Sequence, residues 1–235
     1  MENICSCNID HVTGCLICGE ELVYSAAAEK VQCMICKKEE TSNARCIRGH
    51  YVCDACHRGN ILALVEQVCL ASSATDPVEI ALRIFELPGL HMHGPEYHSI
   101  VPAVLVTAYG NKAQDKREQA IKEAIKRGKE IKGGSCGNNG ACGAGIGVGI
   151  AYSVLHGVTP LSKERGLANR MTALALMEIS RTSGARCCKR DVMVALATAK
   201  RHFAELEDTM GSRYVCKQYL QNKQCIRSEC PYYPG

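Results

Sequence analysis

Beyond residue 58 the apolar positions recur at helical spacing, and nowhere do strands alternate with helices as a parallel sheet would require. Residues 59–71 place Ile61, Leu62, Leu64, Val65 and Val68 on one broad apolar face. Asp76-Pro77 reads as an N-cap followed by the proline favoured in a first helical turn, and this helix ends at Leu87-Pro88-Gly89. Another helix follows Gly94-Pro95 and is expected to be disturbed at Pro102. Residues 114–131 are amphipathic, with Ile121, Ala124, Ile125 and Ile131 facing in and a basic outer face. Two later helices, over 162–180 and 191–208, carry Leu, Met and Ala at helical spacing. Residues 133–162 contain no Asp, Glu, Lys or Arg, and formally reach the length of a membrane span. Nine of them are glycine and Asn138, Asn139 and His156 are polar, so the stretch predicts a buried loop and a helix beginning near Cys142.

Composition narrows the core. The chain has 235 residues, of which 46% are apolar but only 5% aromatic, with no Trp and two Phe. A core of Ala, Leu, Val and Ile favours closely packed helices over a sandwich or barrel. The net charge of +4 is too weak to indicate a nucleic-acid or membrane partner.

The seventeen cysteines change the picture most. In a small exported protein they would predict a disulfide framework. Here Met1-Glu2-Asn3 is acidic, no apolar leader run follows, and the cysteines fall in C-x-x-C pairs. A reducing, cytoplasmic setting with metal ligation and thiol chemistry is the expectation. Nine cysteines lie in residues 1–58, three in 59–186 and five in 187–235. The expected fold is therefore mainly α, with a cysteine-rich zinc module over 1–58, RING-like or treble-clef-like. A helical cysteine/glycine core with a carboxy-terminal cysteine cluster occupies 59–235.

Cys15-x2-Cys18, Cys33-x2-Cys36 and Cys46-x3-His50-x2-Cys53-x2-Cys56 supply eight ligands, enough for two tetrahedral zinc ions. In a cross-brace, Cys33, Cys36, Cys53 and Cys56 share one ion and Cys15, Cys18, Cys46 and His50 the other. A sequential ribbon would instead pair Cys15 and Cys18 with Cys33 and Cys36. Cys5, Cys7 and His11 are spare donors in a tail.

Three further segments carry chemistry. His91-Met-His93-Gly-Pro-Glu96-Tyr-His98 offers imidazoles and a carboxylate for metal binding or proton transfer, or simply for capping a helix. Glycines around Cys136 and Cys142 allow backbone amides to converge on a thiolate, an anion or an iron–sulfur cluster. Gly143, Gly145, Gly147 and Gly149 also permit tight helix packing. A nucleotide or S-adenosylmethionine site is disfavoured, because no apolar strand precedes the run and no acidic residue follows at the expected distance. Cys187 and Cys188 lie among Arg186, Lys189 and Arg190, and Cys216-x8-Cys225-x4-Cys230 has CCCH-like spacing with Pro234 where a histidine would stand. The expectation is that Cys136, Cys142 and at least one of Cys187 and Cys188 meet at one centre, with Cys216, Cys225 or Cys230 completing it. His91, His93, Glu96 and His98 are expected to line the same cavity.

Taken together, Cys53-Asp-Ala-Cys56-His57, His93-Gly-Pro-Glu96-Tyr97-His98, Gly134-x-Cys136-Gly-Asn-Asn-Gly-x-Cys142-Gly and Arg186-Cys-Cys-Lys-Arg190 resemble an uncharacterised family of cysteine-rich proteins from methanogens and other anaerobes. That resemblance implies an anaerobic setting and a place beside methyltransferases; a methyltransferase activity is not expected of this chain, which lacks the strand and acidic residue such an enzyme needs.

Three functions remain open at this point. One is a redox or sulfur-handling protein with an iron–sulfur or dithiol centre. Another is a zinc-dependent module that docks a partner such as a methyltransferase or redox enzyme, nucleic acid being the less expected partner. The third is a transferase or hydrolase using Cys136 or Cys142 with His98 and Glu96.

Overall fold

The computed structural model describes residues 13–115, 118–206 and 213–235; Cys5, Cys7 and His11 lie outside them. Its first element is an antiparallel hairpin in which β1 (Leu22–Gln32) pairs with β2 (Glu39–Cys46), with a register irregularity between Tyr24 and Glu29. Sequence patterning gives no strand here, because no residue of β1 is buried and no hydrophobic alternation develops. The only buried residues between 13 and 58 are Cys15, Cys33, Cys46 and Cys53.

The helices are α1 (Asp54–Arg58), α2 (Ile61–Ala71), α3 (Pro77–Phe85), α4 (Tyr97–Lys112), α5 (Glu118–Lys129), α6 (Ser135–Asn138), α7 (Gly143–Leu155), α8 (Arg165–Ser180) and α9 (Cys188–His202). Asp76 caps α3 by accepting from the Val78 amide at 3.1 Å, and Lys200 of α9 reaches the same carboxylate oxygen at 3.1 Å. The core is built around α4, which buries twelve of its residues and packs against α2, α3, α5, α7 and α9. A helix enclosed on most sides needs no polar face, and so lacks the amphipathic stripe of α5.

The expected disturbance at Pro102 does not interrupt α4, which runs on through it. Proline leaves the carbonyl four residues back without its helical donor. That carbonyl, of His98, packs against the bare Cα of Gly128 in α5, where a Cβ would stand 2.6 Å from the oxygen. The glycine run of α7 is a packing device on two sides. Cβ atoms at Gly143 and Gly147 would strike His98, Val101 and Pro102 of α4, and those at Gly145 and Gly149 would strike Leu176, Thr172 and the Ala168 carbonyl of α8.

The last helix begins at Cys188 rather than Asp191 and ends at His202 rather than near 208. Its first turn therefore carries Cys188, Lys189 and Arg190 into the protein, where Lys189 and Arg190 are buried. Among the described residues no helix is long and apolar enough to cross a membrane.

Candidate metal and thiol centres

A C-x-x-C pair sits in the turn before β1, the next in the turn between the strands, and the remaining donors run from Cys46, the last residue of β2, into α1. Alternate pairs meet. Cys15, Cys18, Cys46 and His50 form one group and Cys33, Cys36, Cys53 and Cys56 another, each with its donor atoms within 4.8 Å of one another. This is the cross-braced grouping, not the sequential ribbon. A divalent ion with thiolates at about 2.3 Å holds tetrahedral donors about 3.8 Å apart. The sulfurs of Cys36 and Cys53 are 3.7 Å apart, those of Cys18 and Cys46 3.5 Å, and the Cys15 sulfur lies 3.8 Å from His50 Nδ1. Both donor sets thus have the size and softness for a metal ion. Burial opposes the Cys33 thiolate, but the amides of Cys53, Cys36 and Ile35 aimed at its sulfur prevail and bring its pKa down to about 6.

The short helix α1 fastens this segment to the core. Asp54 Oδ2 accepts from the Gly133 amide at 2.6 Å, and Arg58 donates to the Lys129 carbonyl at 2.9 Å. Asn43 of β2 and Asn138 of α6 exchange side-chain hydrogen bonds of 2.9 and 3.2 Å. Between these contacts lies a cavity of about 620 Å³.

His91, His93 and His98 line that cavity together with Cys136 and Cys142, so the histidine segment and the glycine–cysteine loop do share one space. Glu96 is the exception. It is fully buried outside the lining, 3.3 Å from His57 Nδ1. His98 Nδ1 lies 3.1 Å from the Ile131 carbonyl, an acceptor, so Nδ1 carries the proton and Nε2 of the neutral ring is left as a base. Burial lowers the His98 pKa. Burial, helped by the Arg186 charge, takes His93 down to about 4, and its Nε2 lies 3.1 Å from Asn222 Oδ1.

The carboxy-terminal thiols do not join the same centre. Cys188 lines the large cavity with Cys136 and Cys142, whereas Cys187, Cys216, Cys225 and Cys230 surround a separate small cavity walled by Tyr214, Tyr219 and Tyr232. Adjacent residues at the start of a helix point in different directions, so Cys187 and Cys188 serve opposite sides of the same turn. Lys189 and Arg190 border the small cavity. Burial pushes the Lys189 pKa down to about 8, and its ammonium stands 4.5 Å from the Phe85 ring centre. None of the fifteen cysteines in the described residues forms a disulfide.

Cys142 donates to Asp191 Oδ2 at 3.8 Å, and burial followed by the Asp191 charge pushes its pKa to about 12. A raised pKa empties the thiolate at ordinary pH. Cys142 is therefore expected to react with iodoacetamide on the order of 1000-fold more slowly at pH 8 than an ordinary exposed cysteine, with a rate rising about tenfold per pH unit toward 12. Peptide-resolved mass spectrometry checks this; fast labelling at pH 8 contradicts it.

Three contributors escape sequence reasoning: the roles of His57, Asp191 and Asn222. His57 is hidden as the residue after a metal-ligand pair, and nothing in sequence spacing joins Asp191 to Cys142 or Asn222 to His93. Only the C-x-x-C-H run marks His57 at all.

Residues 65–233 match the model of a family described as a family of unknown function, DUF5714. No curated protein and no solved structure matches.

Proposed function

The chain belongs to the DUF5714 family, and we propose that it is a metal-dependent redox or sulfur-handling protein. Its amino-terminal quartets hold two structural zinc ions, and Cys187, Cys216, Cys225 and Cys230 ligate an iron–sulfur cluster. The observation that carries this reading is the surround of the second cavity: four thiols, two cationic side chains and a tyrosine wall. Cluster sulfurs accept hydrogen bonds and are tuned by nearby charge. The Arg227 amide donates to Cys225 at 3.3 Å, and the amides of Arg190 and Tyr232 serve Cys187 and Cys230. Among the described residues no three of these sulfurs lie within 4.8 Å of one another. Cys136, Cys142 and Cys188 then face the large cavity as free thiols, with His98 as proton carrier.

The setting this reading implies is cytoplasmic and anaerobic. A partner enzyme, such as a methyltransferase or redox enzyme, has a docking face in the turns of the metal quartets, where Ile17, Met34, Ile35 and Ile47 are exposed.

Anaerobically prepared protein is expected to be coloured and to carry about four iron atoms per chain. Cys225→Ser and Cys230→Ser should lose colour and iron, whereas Cys136→Ser should keep both. Colourless, iron-free wild type of unaltered helix content sinks the cluster. Loss of colour in Cys136→Ser instead moves it to the glycine loop.

A further inference from the structure

His57, His91 and Glu96 come from two parts of the chain, α1 and the loop before α4, yet one donor atom of each falls within 4.8 Å of the others. The His57 and His91 ring centres are 4.7 Å apart, and His57 Nδ1 stands 3.3 Å from Glu96 Oε2. That last separation matches the edge of about 3.4 Å between nitrogen and oxygen donors on a tetrahedral ion.

Glu96 is the unusual member. Its side chain is 0% exposed and neither carboxylate oxygen accepts a hydrogen bond, the His57 contact being its ion pair. His57 Nδ1 likewise has no hydrogen-bond partner. A buried carboxylate without donors is strongly disfavoured in its charged form unless a cation neutralises it. The carboxylate packs on the bare Cα of Gly94, where a Cβ would fall 2.1 and 2.5 Å from its two oxygens and 2.5 Å from the His57 ring. A side chain at this position would displace the carboxylate or the His57 ring.

We propose that His57, His91 and Glu96 bind a third metal ion, a divalent first-row transition ion, with an open coordination position toward the large cavity. Two imidazoles and one carboxylate suit ions such as Zn²⁺, Fe²⁺ or Co²⁺ better than Mg²⁺ or Ca²⁺, which prefer oxygen. Three protein ligands with a vacant position distinguish a reactive metal site from the closed four-ligand quartets. His57 and His91 line the cavity while Glu96 lies behind them, so the vacant position opens onto the space shared by His98, Cys136 and Cys142. The amino-terminal quartets acquire a purpose here. Cys56 belongs to the second quartet, and the next residue, His57, is delivered from it onto Glu96.

The test is cobalt uptake. Protein with its quartets filled is stripped of weakly held metal by a mild chelator and titrated with Co²⁺. Wild type is expected to take up one equivalent with weak visible bands and none of the strong absorption of cobalt–thiolate bonding. Glu96→Gln and His91→Ala should bind that equivalent more than about 100-fold more weakly, and His93→Ala should bind it like wild type. His91→Ala leaves the Tyr97 hydroxyl bond to the His91 carbonyl in place, so it decides the matter should Glu96→Gln fail to fold. No cobalt uptake by wild type, unchanged uptake by His91→Ala, or thiolate absorption would each overturn the third site in favour of a plain His57–Glu96 ion pair or a cysteine site. The outcome does not depend on the iron–sulfur cluster, whose cysteines are not among these ligands.

Discussion

Replacing Cys33 with serine is expected to unfold residues 13–58 while the helices from α2 to α9 persist. The four buried residues of that segment are all cysteines, so there is no apolar core to fall back on. A structural zinc ion in such a module is worth on the order of 10 kcal/mol of folding free energy. On the proposed zinc reading, losing one thiolate of the quartet removes most of that. The helical core, in contrast, is held by a continuous cluster running from Ile61 to Leu206. Limited proteolysis followed by mass spectrometry should find new cleavages in the hairpin, with little change in helical circular dichroism. Strong chelators acting on wild type should give the same pattern. A hairpin that stays protected in Cys33→Ser would show that the quartet does not hold the segment together.

Gly149→Val is expected to destabilise the helical core by about 3 kcal/mol, as overpacking at a rigid contact does. A Cβ at Gly149 would meet the Thr172 hydroxyl at 2.0 Å and the Ala168 carbonyl at 2.8 Å, and the second of these is backbone that cannot rotate away. Separation of α7 from α8 is then the only relief. Gly166 is the control, because a Cβ there meets nothing within 4 Å. Gly166→Ala should stabilise by up to about 1 kcal/mol, through higher helix propensity and a less mobile unfolded chain. Thermal melts of the two variants should therefore move in opposite directions from wild type. Equal and small shifts would mean that α7 is not wedged as tightly as its glycines indicate.

Most of the helical core was legible from sequence because helices announce themselves locally. Ile121, Ala124 and Ile125 of α5 and the Asp76-Pro77 cap of α3 needed only spacing and residue type. The metal quartets were legible for a related reason. A C-x-x-C turn is a local chemical unit, and tetrahedral coordination fixes how many such units must meet. The glycine spacing of α7 predicts tight helix packing, but not which helix each glycine touches.

Tertiary structure alone decided the rest. The hairpin lacks a buried face, so β1 and β2 left no alternation to read. Pro102 reads as disruptive in sequence, but the bare Cα of Gly128 packs on the carbonyl it leaves without a helical donor. Cys187 and Cys188 are neighbours in sequence but face different cavities, because successive residues at a helix start diverge. Glu96 and His57 are thirty-nine positions apart, and their meeting depends on how α1 docks against the loop before α4. Sequence thus determined the donors and the helices that carry them, since both are set by chemistry over a few residues. Which donors share a centre was decided by the packing of α1, α4, α7 and α9, a property of the whole fold that no local spacing encodes.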